Sequence, residues 1–297
     1  MRTTKRFTPA TLDRFRRQGR GQGVFGEFSS WHQVTRGDPS SRGRSHITFL
    51  DKRGRDTLSD LEWTLIFFAL LINPLDLRTQ YPLELRKSKH ELCRYRSDWS
   101  ANSFPGFLDL AEELKIRTAK VHGEGKSEDW VPSTDLLLTL GTLPNTLSLL
   151  AISGKYQSDT TSKRKRELLG LERDYWIRRR VEWLLITETL YSGRVALMLR
   201  NSFGWAIDTP VTKEERELAA SIALGLAGRS RTYIINSIAE SVGDNELAQR
   251  LFWQSIWFGP LCIDLDTSWH PYLPVRFVTK EEFIRFNPIA SRRSAWS

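Results

Sequence analysis

The chain has few of the residues from which several kinds of functional site are built. Its 297 residues include two cysteines, two methionines and five histidines. Cys93 and Cys262 form no C-x-x-C pair, which excludes a thiolate zinc site and a disulfide framework and fits a reducing compartment. No histidine stands beside the acidic and lysine positions singled out below, so a histidine general base is not expected. Long apolar runs are also missing. The longest, residues 61–72, has 12 residues and is too short to span a bilayer. The N-terminus has no apolar segment of the signal-peptide kind, so a cytoplasmic protein without membrane contact is expected.

What the chain does have is aromatic mass and a localised positive charge. Eleven tryptophans and fifteen phenylalanines in a sequence that is 40% hydrophobic supply a substantial core, enough for two modest domains. The formal net charge is +9. Residues 1–55 carry thirteen Lys/Arg against four Asp/Glu, and the remainder carries 31 of each sign. The basic excess is therefore N-terminal, as expected of a segment that lies along phosphates.

The organising stretch is 131–155. Two apolar segments, 131–140 and 146–152, flank a Gly-Thr-Leu-Pro-Asn connection and read as a β-hairpin. Asp135 sits inside the first strand, and Lys155 follows the second. An acid followed twenty residues later by a lysine is the layout of metal-dependent nucleases, which need an anionic oxygen for a hard cation and a positive charge near the scissile phosphate. An edge-strand aspartate and a solvated lysine are the plainer alternative.

Around this hairpin, residues 1–30 open with a short helix expected over 7–17 and otherwise read as a flexible basic arm or a disordered tail, with Arg14, Arg16, Arg17 and Arg20 as candidate phosphate contacts. Gly21 to Gly26 match G-x-G-x-x-G, but no strand precedes them and no helix follows, so a dinucleotide site is excluded. A strand is expected at 46–50, with Arg42 and Arg44 as further DNA contacts. Ser59-x-x-Glu62 is a capping box that opens a buried helix reaching residue 72. Glu62 thus has a structural role, yet a carboxylate in the first turn can also face a cleft. A strand at 75–82 and a helix near 107–117 follow, and residues 118–130 read as loop. A long helix is expected over 163–181. Its first turn holds Lys163, Arg164, Lys165 and Arg166, either a solvated run or a DNA contact. A strand at 183–187 closes the first domain, 1–205. The second, 206–297, reads as three capped helices, strands at 261–265 and 273–278, and a short helix, which is the winged-helix order. From Arg200 onward eleven basic residues balance eleven acidic ones, which favours protein contact over DNA reading.

With these pieces placed, the chain resembles the TnsA family, the endonuclease subunits of heteromeric Tns-type cut-and-paste transposases. The resemblance rests on Gly19-Arg20-Gly21-Gln22-Gly23, Arg42-Gly43-Arg44-Ser45-His46, Leu58-Ser59-Asp60-Leu61-Glu62-Trp63 and Asp76-Leu77-Arg78-Thr79-Gln80-Tyr81-Pro82. It continues through Ser133-Thr134-Asp135, Gly154-Lys155 and Leu171-Glu172-Arg173-Asp174-Tyr175-Trp176. It implies an α/β, restriction-endonuclease-like catalytic domain with Glu62, Asp135 and Lys155 at the active site, followed by a winged-helix-like α+β domain. It further implies cleavage of 5′ strands at transposon ends, a TnsB-type transposase and a TnsC-type AAA+ ATPase as partners, and a bacterial, nucleoid-associated setting. Glu62 and Asp135 would bind one or two Mg²⁺ ions, or Mn²⁺, and Lys155 would steady the attacking hydroxide and the phosphate charge. Ser153 occupies the third-ligand position, where the family commonly has glutamine or an acid, so that duty can pass to a backbone carbonyl or water. An inactive DNA-bridging adaptor of the same fold and a stand-alone restriction-type nuclease are the alternatives.

Overall fold

The structure is a computed structural model that describes residues 7–34, 45–48, 54–96, 102–143, 146–268 and 270–296. Arg42 and Arg44 lie outside the described residues. The chain forms two compact units, Met1–Glu62 with Pro74–Leu185, and Trp63–Asn73 with Ile186–Ser297.

The first unit contains helices α1 (Pro9–Arg17), α3 (Phe107–Glu113) and α4 (Lys163–Arg178), together with the opening turn of α2 (Asp60–Leu70). Its strands are β1 (Ser45–Thr48), β2 (Gly54–Thr57), β3 (Asp76–Pro82), β4 (Ser88–Lys89), β5 (Ser103–Phe104), β6 (Lys120–Gly123), β7 (Lys126–Asp129), β8 (Ser133–Leu140), β9 (Ser148–Gly154) and β10 (Glu182–Ile186). The central sheet is mixed, in the order β10-β9-β8-β3. β8 is antiparallel to both neighbours, with Leu136 opposite Ile152 on one side and Thr79 on the other. It is buried from Thr134 to Thr139, which explains its near-continuous apolar run: a strand covered on both faces has no solvent side to alternate with. On one face α4 places Leu171, Tyr175 and Trp176 in the core, and the Trp176 indole N–H donates to Thr134 Oγ1 at 2.7 Å.

The expected basic arm is instead a folded part of this unit. Thr8 caps α1 through the Thr11 N–H (3.3 Å), and Leu12 and Phe15 pack with Trp31, Val121 and Val131. The partner surface is the hairpin β6–β7, in the region read from sequence as loop. Beyond α1 the chain lies along β3. The Phe25 N–H donates to Asp76 Oδ2 at 2.9 Å and the Trp31 N–H to the Gln80 carbonyl at 3.1 Å. Gly21 makes this path possible. Its φ is +74°, and a Cβ there would lie 2.2 Å from the Pro82 ring. The G-x-G pattern therefore serves a close packing of loop on strand.

In the second unit, α2 from Trp63 onward joins α5 (Gly193–Ile207), α6 (Lys213–Gly225), α7 (Arg231–Val242), α8 (Asn245–Trp257) and α9 (Lys280–Phe286). Leu65, Ile66, Phe67, Phe68 and Ala69 are fully buried, as a helix apolar all round requires. Phe67 meets Phe203 and Trp257 at centroid distances of 4.8 and 6.1 Å. The unit break at Leu185/Ile186 differs from the expected 205/206 because α5, a helix not foreseen from sequence, packs on α8. The expected strands at 261–265 and 273–278 reduce to two isolated bridges, Ile263 with Phe277 and Pro274 with Ser230. Two causes are visible: Pro274 has no N–H to give, and the Asp264 carboxylate draws the N–H groups of Asp266 (2.9 Å) and Thr267 (3.2 Å) into a turn. Among the described residues no helix is long and apolar enough to cross a membrane.

Gly21→Ala combines a left-handed backbone with a clash, so it should lower unfolding free energy by about 2 kcal/mol or more. Urea denaturation followed by tryptophan fluorescence measures this, and an unchanged midpoint would refute the packing role.

Candidate active site

Three sequence-selected residues arrive at one place from three elements. Glu62 comes from the first turn of α2, Asp135 is the third residue of β8, and Lys155 is the residue after β9. Lys155 Nζ donates to Asp135 Oδ2 at 2.7 Å, and the Gly154 N–H donates to the same oxygen at 2.8 Å. Half of the expected capping box forms, with the Glu62 N–H donating to Ser59 Oγ at 3.2 Å, while the return bond of the carboxylate runs to the residue before Ser59. Glu62 Oε2 meanwhile accepts from the Leu58 N–H at 3.0 Å and from Gln80 Nε2 at 3.0 Å. One carboxylate therefore caps its own helix and faces the cluster.

Gln80 is the residue that sequence reasoning missed. Its Nε2 also donates to Asp135 Oδ1 at 3.2 Å, so a single amide nitrogen bridges the two acids. Oxygens at 3.0 and 3.2 Å from one atom can be no further apart than the sum of those distances, 6.2 Å. Gln80 lies in β3 at φ +50°, between the registered pairs Thr79–Leu136 and Tyr81–Thr134. The left-handed residue interrupts the pairing at one position without shifting the register, and nothing in residue spacing signals it.

Electrostatics match the crowding. Burial, and then the charge of Asp135, push the Glu62 carboxyl up to about 7, against hydrogen bonding from Leu58, the charge of Lys155 and the Gln80 amide. Burial alone would lower Lys155, but Asp135 and then Glu172 outweigh it and hold the ammonium well above the ordinary lysine range. The Lys155 side chain remains 37% exposed, so a ligand can reach it. Among the described residues no three His, Cys, Asp or Glu side chains cluster as a metal cage. The donor set is two close, mutually repelling carboxylates beside a neutral amide. That set fits a hard divalent cation such as Mg²⁺, which takes one or two carboxylates and keeps water, and does not fit a structural zinc.

Ser153 is not in this set. Its Oγ donates to Glu172 Oε1 at 2.6 Å and accepts from the Trp183 indole N–H at 3.1 Å, which occupies the hydroxyl with core contacts. Glu172 also accepts from Thr134 Oγ1 at 2.7 Å, and burial raises its carboxyl above the ordinary range, opposed by Lys155. The Leu-Glu-Arg-Asp-Tyr-Trp segment of α4 is thereby explained as packing around a buried carboxylate.

The expected DNA contacts separate into groups. Arg20 is buried: its guanidinium lies 3.9 Å from the Phe15 ring centroid and donates to Gln18 Oε1 (2.9 Å) and the Trp31 carbonyl (3.3 Å). It braces the turn after α1 and cannot reach a phosphate. Arg16 pairs with Asp13 and Glu128, and Arg17 is exposed. Lys163, Arg164, Lys165 and Arg166 are all exposed in the first turn of α4, with Arg164 paired to Glu167 and Lys165 to Asp159. A groove of about 1120 Å³ runs beside Arg164 and is lined by Arg86, Lys115, Arg117 and Lys120 against Glu112 and Asp129. Thr118 and Ala119 also line a second cavity of about 420 Å³ that includes Lys155 and Glu172.

No family model matches the chain. A curated relative does: the Tn7 transposition protein TnsA of Escherichia coli, 24% identical over 297 residues, 97% of this chain and 89% of that protein. The similarity runs nearly end to end.

Glu172 supplies a clear test of the core beside the site. Glu172→Gln keeps an acceptor oxygen for Thr134 and Ser153 and should cost about 1 kcal/mol or less, whereas Glu172→Ala leaves both hydroxyls facing a cavity and should cost about 2–4 kcal/mol. Equal urea midpoints for the two variants would remove this account.

Proposed function

We propose that this protein is a divalent-cation-dependent DNA endonuclease of a transposition machinery. The observation that carries the reading is the convergence of Glu62, Asp135 and Lys155, which are far apart in the chain, on one buried acidic pair with an accessible ammonium. Similarity to a transposition protein along nearly the whole chain supports the setting. Glu62 and Asp135 would hold the ion, which when bound lowers the pKa of water and draws charge from a phosphate. Asp135 keeps Lys155 charged and anchored, so its ammonium is ready to donate to a phosphoryl oxygen as negative charge builds there. The Gly154 N–H fixes the Asp135 carboxylate, so the acid does not swing when Lys155 turns to the substrate.

In the cut-and-paste scheme, this chain cleaves the 5′ strands at transposon ends beside a TnsB-type transposase and under a TnsC-type ATPase. The duplex would follow the basic groove along Lys115, Arg117 and Arg164 to Lys155. The helices α6 to α8 are read as a winged-helix-like unit that docks on protein. Residues 251–257 of α8 are all buried and Arg250 pairs with Asp208 and Glu246, which leaves this helix little surface with which to enter a DNA groove. One observation favours a second reading, an inactive DNA-bridging adaptor: the Ser153 hydroxyl is engaged away from the acidic pair.

Asp135→Asn separates the two. The amide can still accept from the Gly154 N–H but removes a cation ligand, so strand cleavage should fall about a hundredfold or more with DNA binding retained. In a reaction with the partner transposase and ATPase, products should shift from simple insertions to cointegrates, because 3′ joining continues without the 5′ cut. Junction sequencing counts both products, and unchanged simple insertion would assign the cut elsewhere.

DNA affinity tests the path. Replacing Lys115 and Arg117 together by glutamine should flatten the log–log salt dependence of duplex binding by up to about two units. Arg20→Gln should leave that slope unchanged, and the reverse pattern would return the interface to the N-terminal segment.

A further inference from the structure

We infer that Gln80 is itself a ligand of the cation site, offering its side-chain oxygen to the ion that Glu62 and Asp135 hold. The inference rests on the cation-dependent reading above and names a donor that neither the comparison nor the motif pattern assigns. Four observations carry it.

Gln80 Nε2 stands between Glu62 Oε2 and Asp135 Oδ1, at 3.0 and 3.2 Å, so the amide end occupies the space toward which both acids point. The residue is 2% exposed, so its amide is held by protein. Its backbone is left-handed at φ +50° inside a strand, an arrangement that costs free energy and turns the residue out of the ladder at this one position. Finally, Ser153, the residue in the expected third-ligand position, is engaged with Glu172 and Trp183.

The amide can serve either state of the site. Without a cation, Nε2 donates to both acids and Oε1 accepts from Ser133 Oγ at 2.8 Å. With a cation between the acids, N–H groups would face positive charge. A half-turn about the last side-chain torsion presents Oε1 instead and directs Nε2 toward Ser133. A serine hydroxyl both donates and accepts, so Ser133 satisfies the amide in both orientations. The two carboxylates are thus kept together before loading and joined by a neutral oxygen after it. Hard cations take amide carbonyl oxygens readily, and a neutral third donor adds a ligand without a third negative charge in a buried site.

Mn²⁺ binding to the full chain without DNA, followed by the electron paramagnetic resonance signal of free Mn²⁺, tests the assignment. Wild type should bind, and Asp135→Asn should not. Gln80→Ala should bind about tenfold more weakly, the scale of losing one partner at a metal site. Gln80→Asn keeps a residue that tolerates the left-handed backbone but is one methylene too short, and should lose affinity likewise. It carries the test if the alanine variant fails to fold, as judged by its urea midpoint. Gln80→Glu, which cannot donate to the acids but can ligate, should bind Mn²⁺ more tightly than wild type. Alanine and asparagine variants that bind as tightly as wild type, or more tightly, would show that the amide only bridges the acids and would overturn the assignment. A wild-type chain that takes up no Mn²⁺ would overturn the cation site itself, a different result from the same titration.

Discussion

Two carboxylates brought within reach of one nitrogen atom inside a protein repel each other, and the surroundings of Glu62 and Asp135 are arranged to hold them there. Glu62 is fixed by its helix cap and the Leu58 N–H, and Asp135 by the Gly154 N–H and Lys155. The restraints on Glu62 are local to the start of α2, whereas those on Asp135 come across the sheet from the end of β9, so the cluster depends on both the α2 start and the β8–β9 pairing. Burial first, and then this proximity, keep the Glu62 carboxyl raised to about 7 despite hydrogen bonding and a nearby lysine. A site that stores repulsion between acids is prepared for a cation in a way that a neutral pocket is not.

Adjacent residues of β8 serve opposite faces of the sheet. Asp135 turns to Gln80 and Lys155, and Thr134 turns to Glu172 and Trp176 beneath α4. Side chains alternate along a strand, so a slip of one residue would direct the aspartate at the tryptophan and the threonine at the lysine. The Leu-Leu-Leu run that follows gives no register signal, being apolar on both faces. Register is instead imposed by the polar pair at its start, which ties the stability of the core to the placement of Asp135.

That division also accounts for what could be read from sequence. The hairpin around Asp135, the buried helix after Ser59 and the long helix from Lys163 follow from periodicity and caps, which are local. Asp135 and Lys155 stand out as an acid inside an apolar strand and a lysine after the next one, while Glu62 reads locally as a helix cap and joins them only through the family resemblance. Gln80 does not stand out, because its importance lies in a positive φ and in two partners from other elements, neither visible in a neutral residue within a strand. Arg20 misled in the opposite direction. In a run of arginines it looks like a phosphate contact, and only the tertiary fold reveals the Phe15 ring beneath it. The β6–β7 hairpin and the loss of the 261–265 and 273–278 strands depend likewise on packing and on the Asp264 turn rather than on propensity.

The helix that bears Glu62 has a further consequence for how the chain is made. Its first turn belongs with residues that precede it and with 74–185, while Trp63–Asn73 belong with Ile186–Ser297. During synthesis the ribosome must therefore deliver the last third of the chain before Leu65, Ile66, Phe67 and Phe68 gain the neighbours that bury them. A nascent chain that already carries β8, β9 and Lys155 still exposes the apolar surface of α2. Glu62, Gln80, Asp135 and Lys155 would all be present in such a chain, yet the helix that follows Glu62 would keep its apolar face in water until residues 186–297 arrive.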